Sequence, residues 1–577
     1  MTFSRRCHII NFVINYEIKF VNDYTHNYNV LQEKIKRKER KSSMKKIFSL
    51  LLVLAILAAC FGATAVAEDA KVTFTPGTYE GKAVSTGGEL IVSVSVSDHA
   101  IESIEIVRCN DTDGIKNVPL ERIPAQILEN QSLNVDALSG ATLTSLFLRN
   151  AITDAVKKAT DDVSGLNEKI EYKAAAQSDM QADVVVVGGG SAGLAAAAQA
   201  GTYGLNVVLI ERNAFLGGTS LVCDAIICES PVEYMKAAEE PLQNLFESVG
   251  IQFSNVGVDF GGLAYNMIVA QPEEGHSVMG TAIAFLESYA AEHNVTILKD
   301  TSVTGLIVED GTVTGVTAAP RGQESFSVSA KAVILATGGF ARNHDLVNQY
   351  MPQYAEARNC NLPGALGEAV EWVSELDGKL INMDSDFQWF PASAALAAHS
   401  LGSANGGPMV YVNREGNTIN DGYFYSDCAR DAFKQNGNDT FYQIQSPADV
   451  AATMNEEAVE HGLSSGSVFE YHSVAEIAEA YNLLNLEETM SGLGYAAEDT
   501  YYVCPVKPYA YSTYGGIDID EKGHVLNSSD EIIPGLYAVG EVTGSVDYKN
   551  LGVYIGQVGQ GMEESIIAAR TITEEIG

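Results

Sequence analysis

Asp183-Val184-Val185-Val186-Val187-Gly188-Gly189-Gly190-Ser191-Ala192-Gly193 decides the fold. An apolar run of strand length meets three glycines and opens an Ala-rich stretch that continues through Ala200. Leu205 to Ile210 is the next apolar run. Strand, Gly-rich turn, helix and strand make a βαβ unit. In Gly188-x-Gly190-x-x-Gly193 the first glycine makes a tight turn and the second lets backbone approach a pyrophosphate. The third, two residues after Ser191 and next to Ala192, lets helix pack on strand. A diphosphate is favoured at that helix N-terminus by unpaired N–H groups and the helix dipole. Glu211 ends the second strand about 20 residues on, where an acidic side chain accepts from ribose hydroxyls. Gly188, Gly190, Ala192, Gly193 and Glu211 are therefore the candidate nucleotide-binding residues.

The rhythm continues on both sides. Val303 to Val308 and Val313 to Ala318 flank Glu309-Asp310-Gly311, a hairpin turn signal. Ala332 to Ala336 reads as another buried strand, ending in Thr337-Gly338-Gly339-Phe340. Residues 359–505 lack this rhythm and read as a loop-rich inserted lobe. The dinucleotide fold resumes near Gly515-Gly516 and runs through Gly535 to Glu541 into a C-terminal helix. Upstream, residues 72–159 read as a small α+β unit. Leu90 to Val96 and Ile101 to Val107 alternate as strands do, and Leu146, Leu148, Ala151, Ile152 and Val156 recur at helical spacing. Residues 160–180 are polar and Ala-rich, as a linker would be.

The 577 residues exceed what one core holds, and the net charge is -38. Residues 1–67 hold 11 Lys and Arg against 4 Asp and Glu, so the remainder carries 25 against 70, a net of -45. Such a surface repels nucleic acid, which is excluded as a partner. An acidic substrate would need a locally basic pocket. Met44-Lys45-Lys46, the apolar run Ile47 to Ala59 and Ala65-Val66-Ala67 follow the order of a secretory signal, placing it at 44–67. Leu57-Ala58-Ala59-Cys60 looks like a lipoprotein box, so the protein is expected to be exported, either extracellular or held at the cell surface through Cys60. Residues 1–43 precede a complete signal, and a mis-called start codon is the simplest account of them. The cysteines form no haem or metal pattern, and no metal site is expected. Cys223 and Cys228 are the one close pair.

Gly217-Gly218-Thr219-Ser220, shortly after Glu211, resembles the second phosphate and flavin loop of the fumarate reductase and succinate dehydrogenase flavoprotein family. Ala336-Thr337-Gly338-Gly339-Phe340 and Gly535 to Glu541 carry the same resemblance. It implies non-covalent FAD and a lobe that caps a substrate stacked on the flavin. It places Gly217, Gly218, Thr219, Ser220, Gly338 and Gly339 at the cofactor, Val303 near the adenine and Glu541 near the ribityl chain. Glu368, in Gly364-Ala365-Leu366-Gly367-Glu368, stands where the family has an aspartate near the cofactor. Asp136-Ala137-Leu138-Ser139-Gly140-Ala141-Thr142 resembles the FMN-binding domain of urocanate-reductase-like proteins and sodium-pumping quinone reductase subunits. That resemblance implies FMN esterified to Thr142 by a separate flavin transferase, with Asp136 in the acceptor motif. The expected fold is α/β: a Rossmann-like FAD-binding domain (181–358 and 506–577) with an inserted α+β substrate-capping domain (359–505), preceded by a small α+β FMN-binding domain (72–159).

Fumarate-reducing members of the family use arginines and histidines to protonate and clamp carboxylates, and those motifs are degraded here. The landmark Asn413-Arg414-Glu415-Gly416 is followed by a stretch in which Tyr425 falls opposite the arginine acid once a gap is allowed. Arg430 could supply the acid only if the loop is longer. The family's H-P-T appears as Phe390-Pro391-Ala392, its H-T-x-G-G as Ser512-Thr513-Tyr514-Gly515-Gly516, and its N-R-L-G as Asn550-Leu551-Gly552. An unpaired carboxylate in a dry pocket is costly, which argues against a small dianion. Trp389, Phe390, Tyr423, Tyr425, Tyr511, Tyr514, Tyr548 and Tyr554 occupy the neighbourhood instead and suit a flatter, less charged substrate. A tyrosine hydroxyl such as that of Tyr425 or Tyr511 can protonate a carbon or polarise an enone. The expected activity is reduction of a conjugated C=C bond in a small unsaturated molecule, with electrons arriving from a membrane or extracellular donor through FMN to FAD. A dehydrogenase running in reverse and a non-catalytic flavin carrier stay open.

Overall fold

The computed structural model describes residues 72–577 apart from 223–225, 229–231, 248–251, 261–262, 272–277, 395–400, 402–407, 420–424, 454 and 552–556. The segment expected to be an export signal, which includes Cys60, and Cys223, Tyr423 and Tyr554 therefore lie outside the described residues. So do the side chains of Cys228 and Tyr425.

The first part is an antiparallel meander, β1 (Gly77–Ser85), β2 (Gly88–Val96) and β3 (Ile101–Arg108). Helices α1 (Asn117–Asn130) and α2 (Thr142–Val156) accompany it. Leu90, Val92, Val94 and Val96 of β2 are buried, as are Leu148, Ala151, Ile152 and Ala155 of α2, so strand alternation and helical spacing meet in one core. Residues 160–180, expected as a linker, pair with this domain along the way. Leu133 N donates to Leu166 O at 2.7 Å and Ile170 N to Asn134 O at 3.0 Å, which ties the segment back onto this domain. Backbone pairing of this kind leaves no trace in side-chain composition.

The second part is a doubly wound sheet in the order β6-β5-β4-β10-β17-β16. The strands are β4 (Val184–Val187), β5 (Val207–Ile210), β6 (Val295–Leu298), β10 (Ala332–Leu335), β16 (His524–Leu526) and β17 (Ile532–Ala538). All neighbours are parallel except β16 with β17. Unbroken apolar strands such as Val184–Val187 are buried on both faces, as parallel strands covered by helices must be. The Ala-rich helix α3 (Ser191–Thr202) packs against α4 (Val278–Glu292) and the C-terminal helix α8 (Gln557–Ile576), and Ser565 Oγ donates to Ala192 O at 2.7 Å. Strands β7 (Thr301–Glu309) and β8 (Thr312–Pro320) form the hairpin, and β9 (Phe326–Ser329) adds to it.

The inserted lobe is more ordered than its sequence suggests. A six-stranded sheet is built on the long strand β15 (Glu498–Thr513). β11 (Phe387–Ser393), β13 (Phe441–Gln445) and β14 (Phe469–Ser473) pair with it antiparallel, and β12 (Val410–Val412) pairs with β13. Helices α5 (Glu368–Glu375), α6 (Tyr425–Asn436) and α7 (Glu456–Ser465) belong to the same lobe. The strands hid because Pro505, Pro508, Gln443 and Gln445 interrupt any clean alternation, although both glutamines are fully buried.

Candidate flavin and substrate sites

The turn from β4 to α3 is fixed by glycine. Gly188 has φ +105°, and a Cβ on Gly193 would lie 2.0 Å from Gly188 O. Gly190 differs: a Cβ there would meet nothing nearer than Gly217 O at 4.0 Å. Open space therefore lies above the first turn of α3, whose N-cap has no side-chain hydrogen bond. The second loop closes beside it. Gly217 N donates to Gly189 O at 2.7 Å, the Ser191 and Ser220 hydroxyls are 2.7 Å apart, and half-buried Thr219 lies between. Gly218 sits with φ +52° next to the Cα of Gly190. These features suit a diphosphate.

Two glutamates, Glu211 buried and Glu541 half-buried, mark the ends of this cradle. Glu211 accepts from Gly189 N and Asn213 N, each at 2.7 Å. Burial raises its pKa against the pull of those two donors. Val303 is buried on β7, whose first residue Thr301 donates its N–H to Glu211 O at 2.9 Å. Glu541 accepts from Thr513 N at 2.9 Å and from Gly339 N. Burial pushes its pKa up to about 7. Gly338 has φ +74°, and its position faces Glu541 Oε2 at 3.9 Å. Thr337 Oγ1, in the same loop, is buried without a hydrogen-bond partner among the described residues. Glu368 opens α5, and its carboxylate is taken by Arg212 Nη2 at 2.5 Å, so it meets the cradle through the residue after Glu211.

The Thr142 turn lies alongside. Gly140 has φ +83°, Thr142 is the exposed first residue of α2, and no side chain caps that helix. Thr144 Oγ1 is directed inward, donating to buried Asp111 at 2.7 Å. Asp136 holds the connecting segment: Oδ2 accepts from Tyr172 N at 3.1 Å, with Arg321 Nη2 at 3.8 Å. Ser139 Oγ donates to Asn213 Oδ1 at 2.9 Å and joins this turn to the cradle. Asn213 was not foreseen from sequence, because an asparagine after an acidic strand end carries no pattern of its own.

The wall beyond the cradle is formed where β11 meets β15. Thr513, held by Glu541, shares a strand face with Tyr511 two residues earlier. The Tyr511 hydroxyl is buried without a partner among the described residues, and its ring lies 6.4 Å from that of Phe390. Tyr514 donates its hydroxyl to buried Gln388 at 2.9 Å, and its ring lies 5.1 Å from Tyr548. Gln388 was missed; the available signal was one polar residue inside Phe387-Gln388-Trp389-Phe390. Asn550 Nδ2 donates to Val546 O, one helical turn back, at 2.8 Å. Arg430 is not free: Nη1 meets Asp427 at 2.7 Å and Nε meets Asp431 at 3.0 Å. Burial works against its charge, but the two aspartates outweigh it and hold its pKa above the ordinary arginine value. Tyr425 begins α6 five residues before it.

Residues 229–552 match the FAD binding domain family, residues 183–253 the FAD dependent oxidoreductase family and residues 86–161 the FMN-binding domain family. The chain is 28% identical to urocanate reductase of Eggerthella lenta, over 81% of this chain and 87% of that protein. It is 26% identical to NADH:acrylate oxidoreductase of Vibrio harveyi over 84% of this chain, but it spans only 60% of that relative's length. Its fold is similar to the open conformation of a flavocytochrome c3 fumarate reductase, with TM-score 0.57 and 22% identity over 69% of this chain and 78% of that one.

Proposed function

This chain belongs to the FAD binding domain family, and from that premise we propose a flavin-dependent reductase of a conjugated C=C bond, fed through FMN carried covalently on Thr142. The observation that carries the reading is the hydrogen bond from Ser139 to Asn213, which brings the FMN turn against the FAD cradle. Both relatives are named for acids with a conjugated C=C bond, which supports the same bond class here. Reduction is favoured over the reverse direction because the Eggerthella relative is named a reductase.

Each part of the chain then has a task. Gly188, Gly190, Ala192, Gly193 and the loop Gly217–Ser220 cradle the FAD diphosphate, and Glu211 takes a ribose hydroxyl. Glu541, Gly338, Gly339 and Thr337 line the next stretch of cofactor. Bound in these sites, the flavins supply electron transfer and hydride delivery to the electrophilic carbon. Tyr511 holds the proton for the neighbouring carbon, since its buried hydroxyl has no partner among the described residues to keep it. Gln388, Tyr514 and Phe390 present a wall without charge, which suits an enone or an aryl enoate better than fumarate. Arg430, already committed to Asp427 and Asp431, and Tyr425, at the start of α6, are the second choices for the acid.

The signal at 44–67 supports an exported protein, extracellular or anchored through Cys60, with a membrane or extracellular electron donor and a flavin transferase acting on Thr142. Mass spectrometry of the mature N-terminus tests that placement. The function is tested by anaerobic oxidation of reduced viologen with fumarate, urocanate, cinnamates and a steroid enone as acceptors. Turnover on an aromatic or enone acceptor but not fumarate is expected. Brisk fumarate turnover would return Arg430 to the lead. No turnover with both flavins bound would leave an electron carrier. Thr142→Ala is expected to lose all denaturation-resistant flavin fluorescence; a retained fluorescent band would remove Thr142 from the relay.

A further inference from the structure

The loop that follows Glu211 has apolar side chains that the FAD domain alone does not cover. Phe215 is 3% exposed and Leu221 2% exposed, although both lie in a loop that runs past the cradle. What covers them is the FMN-binding domain. An added Cβ at Gly140 would lie 2.7 Å from Phe215 Cζ, and one at Gly114 would lie 2.8 Å from Leu221 Cδ2. Phe215 and Leu221 share a single core cluster with Ile123, Leu148 and Ile152 of the FMN-binding domain.

Polar contacts reinforce the seam. Asp300 is 4% exposed, and Arg122 of α1 reaches its Oδ2 at 2.9 Å. The Arg122 guanidinium also lies 4.3 Å over the Tyr172 ring. Separating the domains would strip a buried carboxylate of this counter-ion, a costly change. Ser139 to Asn213 is a further link. The capping lobe touches the same domain, because a Cβ at Gly88 would lie 3.1 Å from Ser464 Oγ of α7. Asp111 transmits that contact inward: Oδ1 accepts from Gly87 N at 2.8 Å while Oδ2 accepts from Thr144, two residues past Thr142.

We propose that the FMN-binding domain is a docked relay, exchanging electrons with FAD across the loop Ala214–Val222 without leaving the FAD-binding domain. The proposal rests on the reading that FMN is carried at Thr142. Two electrons pass across the seam, oxidising the reduced FMN and reducing FAD, and the accompanying two protons exchange through solvent. Leu143 and Leu146 on α2 and Val222 at the end of the loop are 47%, 45% and 43% exposed. Leu143 and Leu146 are apolar surface left beside the attachment point, suited to a flat ring system, and Val222 adds exposed apolar surface on the loop. Arg122 and Asp300 act as positioning residues, through the domain seam.

The test uses the FMN-loaded, FAD-loaded full chain. FMN is reduced with a pulse of reduced methyl viologen, and transfer to FAD is followed by stopped-flow absorbance while sucrose raises the viscosity. A docked relay transfers at a rate unchanged within about twofold, because no domain diffuses. A rate that falls in proportion to viscosity overturns the proposal. Arg122→Gln is expected to slow transfer by about tenfold or more and to make it viscosity-dependent, with FAD occupancy retained, whereas Arg122→Lys restores the fast, viscosity-independent phase. Hydrogen exchange over residues 213–222 should rise in Arg122→Gln and not in Arg122→Lys; equal transfer rates in all three proteins would overturn the assignment. Absence of a fluorescent band after denaturation of the wild-type protein would sink the Thr142 reading itself, and the relay with it. A fluorescent band with viscosity-limited transfer would sink the docked relay alone.

Discussion

The nucleotide cradle and the substrate wall are built from different materials. The cradle is backbone. Its shape depends on Gly188 and Gly193 lacking a Cβ, with open space at Gly190, and its donors are N–H groups. The wall is side chain. Tyr511, Phe390, Gln388 and Tyr514 meet where β11 crosses β15, and the register shifts between Gln388 and Trp389. Backbone sites tolerate one residue type at each position and write it into the sequence. Side-chain walls accept many combinations of similar volume, so the same fold can be relined for another substrate.

The sharpest way to break the comparison is to put a side chain in the cradle. Gly193→Val places a branched carbon where Gly188 O lies 2.0 Å from an ideal Cβ, with Ala336 Cβ at 2.9 Å. Relief requires α3 to move off β4, which costs about 1–3 kcal/mol or more. FAD affinity is expected to fall by about fivefold to over a hundredfold by the same arithmetic. Flavin absorbance after desalting measures it; full FAD occupancy would show that the cradle is not held by glycine.

Next is the wall. Tyr511→Phe keeps the ring against Phe390 and removes the hydroxyl alone. As proton donor, that hydroxyl is worth about 10²–10⁴ in kcat, with KM little changed. The same change removes a buried polar group without a partner among the described residues, so stability should stay level or rise by about 1 kcal/mol. Lower kcat with undiminished urea resistance separates a chemical role from a packing one. Unchanged kcat would move the donor to Tyr425 or Arg430.

This contrast also explains what could be read in the sequence. Val184–Val187, the three glycines and Glu211 announce the cradle because each is set by one local constraint. The Thr142 turn was visible through the resemblance of Asp136 to Thr142 to an FMN-acceptor motif, in which Gly140 proves to hold a positive φ. Arg212 with Glu368, and Asn213 with Ser139, were not visible, since those partners lie 156 and 74 residues apart. The sheet around β15 was hidden by prolines and buried glutamines within its strands. Arg430 looked like a spare acid until its aspartates appeared at i-3 and i+1, a helical arrangement that says nothing of function by itself.

Glu541 belongs to both regions, and it offers the smallest and most graded test. Its carboxylate accepts from Gly339 in the cradle and from Thr513 at the end of the wall strand. Burial raises its pKa to about 7, above the unfolded value of about 4.3. Between those values the folded protein binds the extra proton, so rising pH favours the unfolded chain. The contribution is complete below about pH 4.3 and is lost as pH climbs through about 7. A shift of that size corresponds to at most about 4 kcal/mol. Glu541→Gln keeps a neutral acceptor at both regions and removes the titration. Urea unfolding of FAD-free protein at about pH 5 and about pH 8 should show wild-type stability falling more than that of the variant. Parallel behaviour in the two proteins would mean that Glu541 stays ionised, with its backbone donors outweighing burial, and that cradle and wall are joined by a charge rather than by a proton.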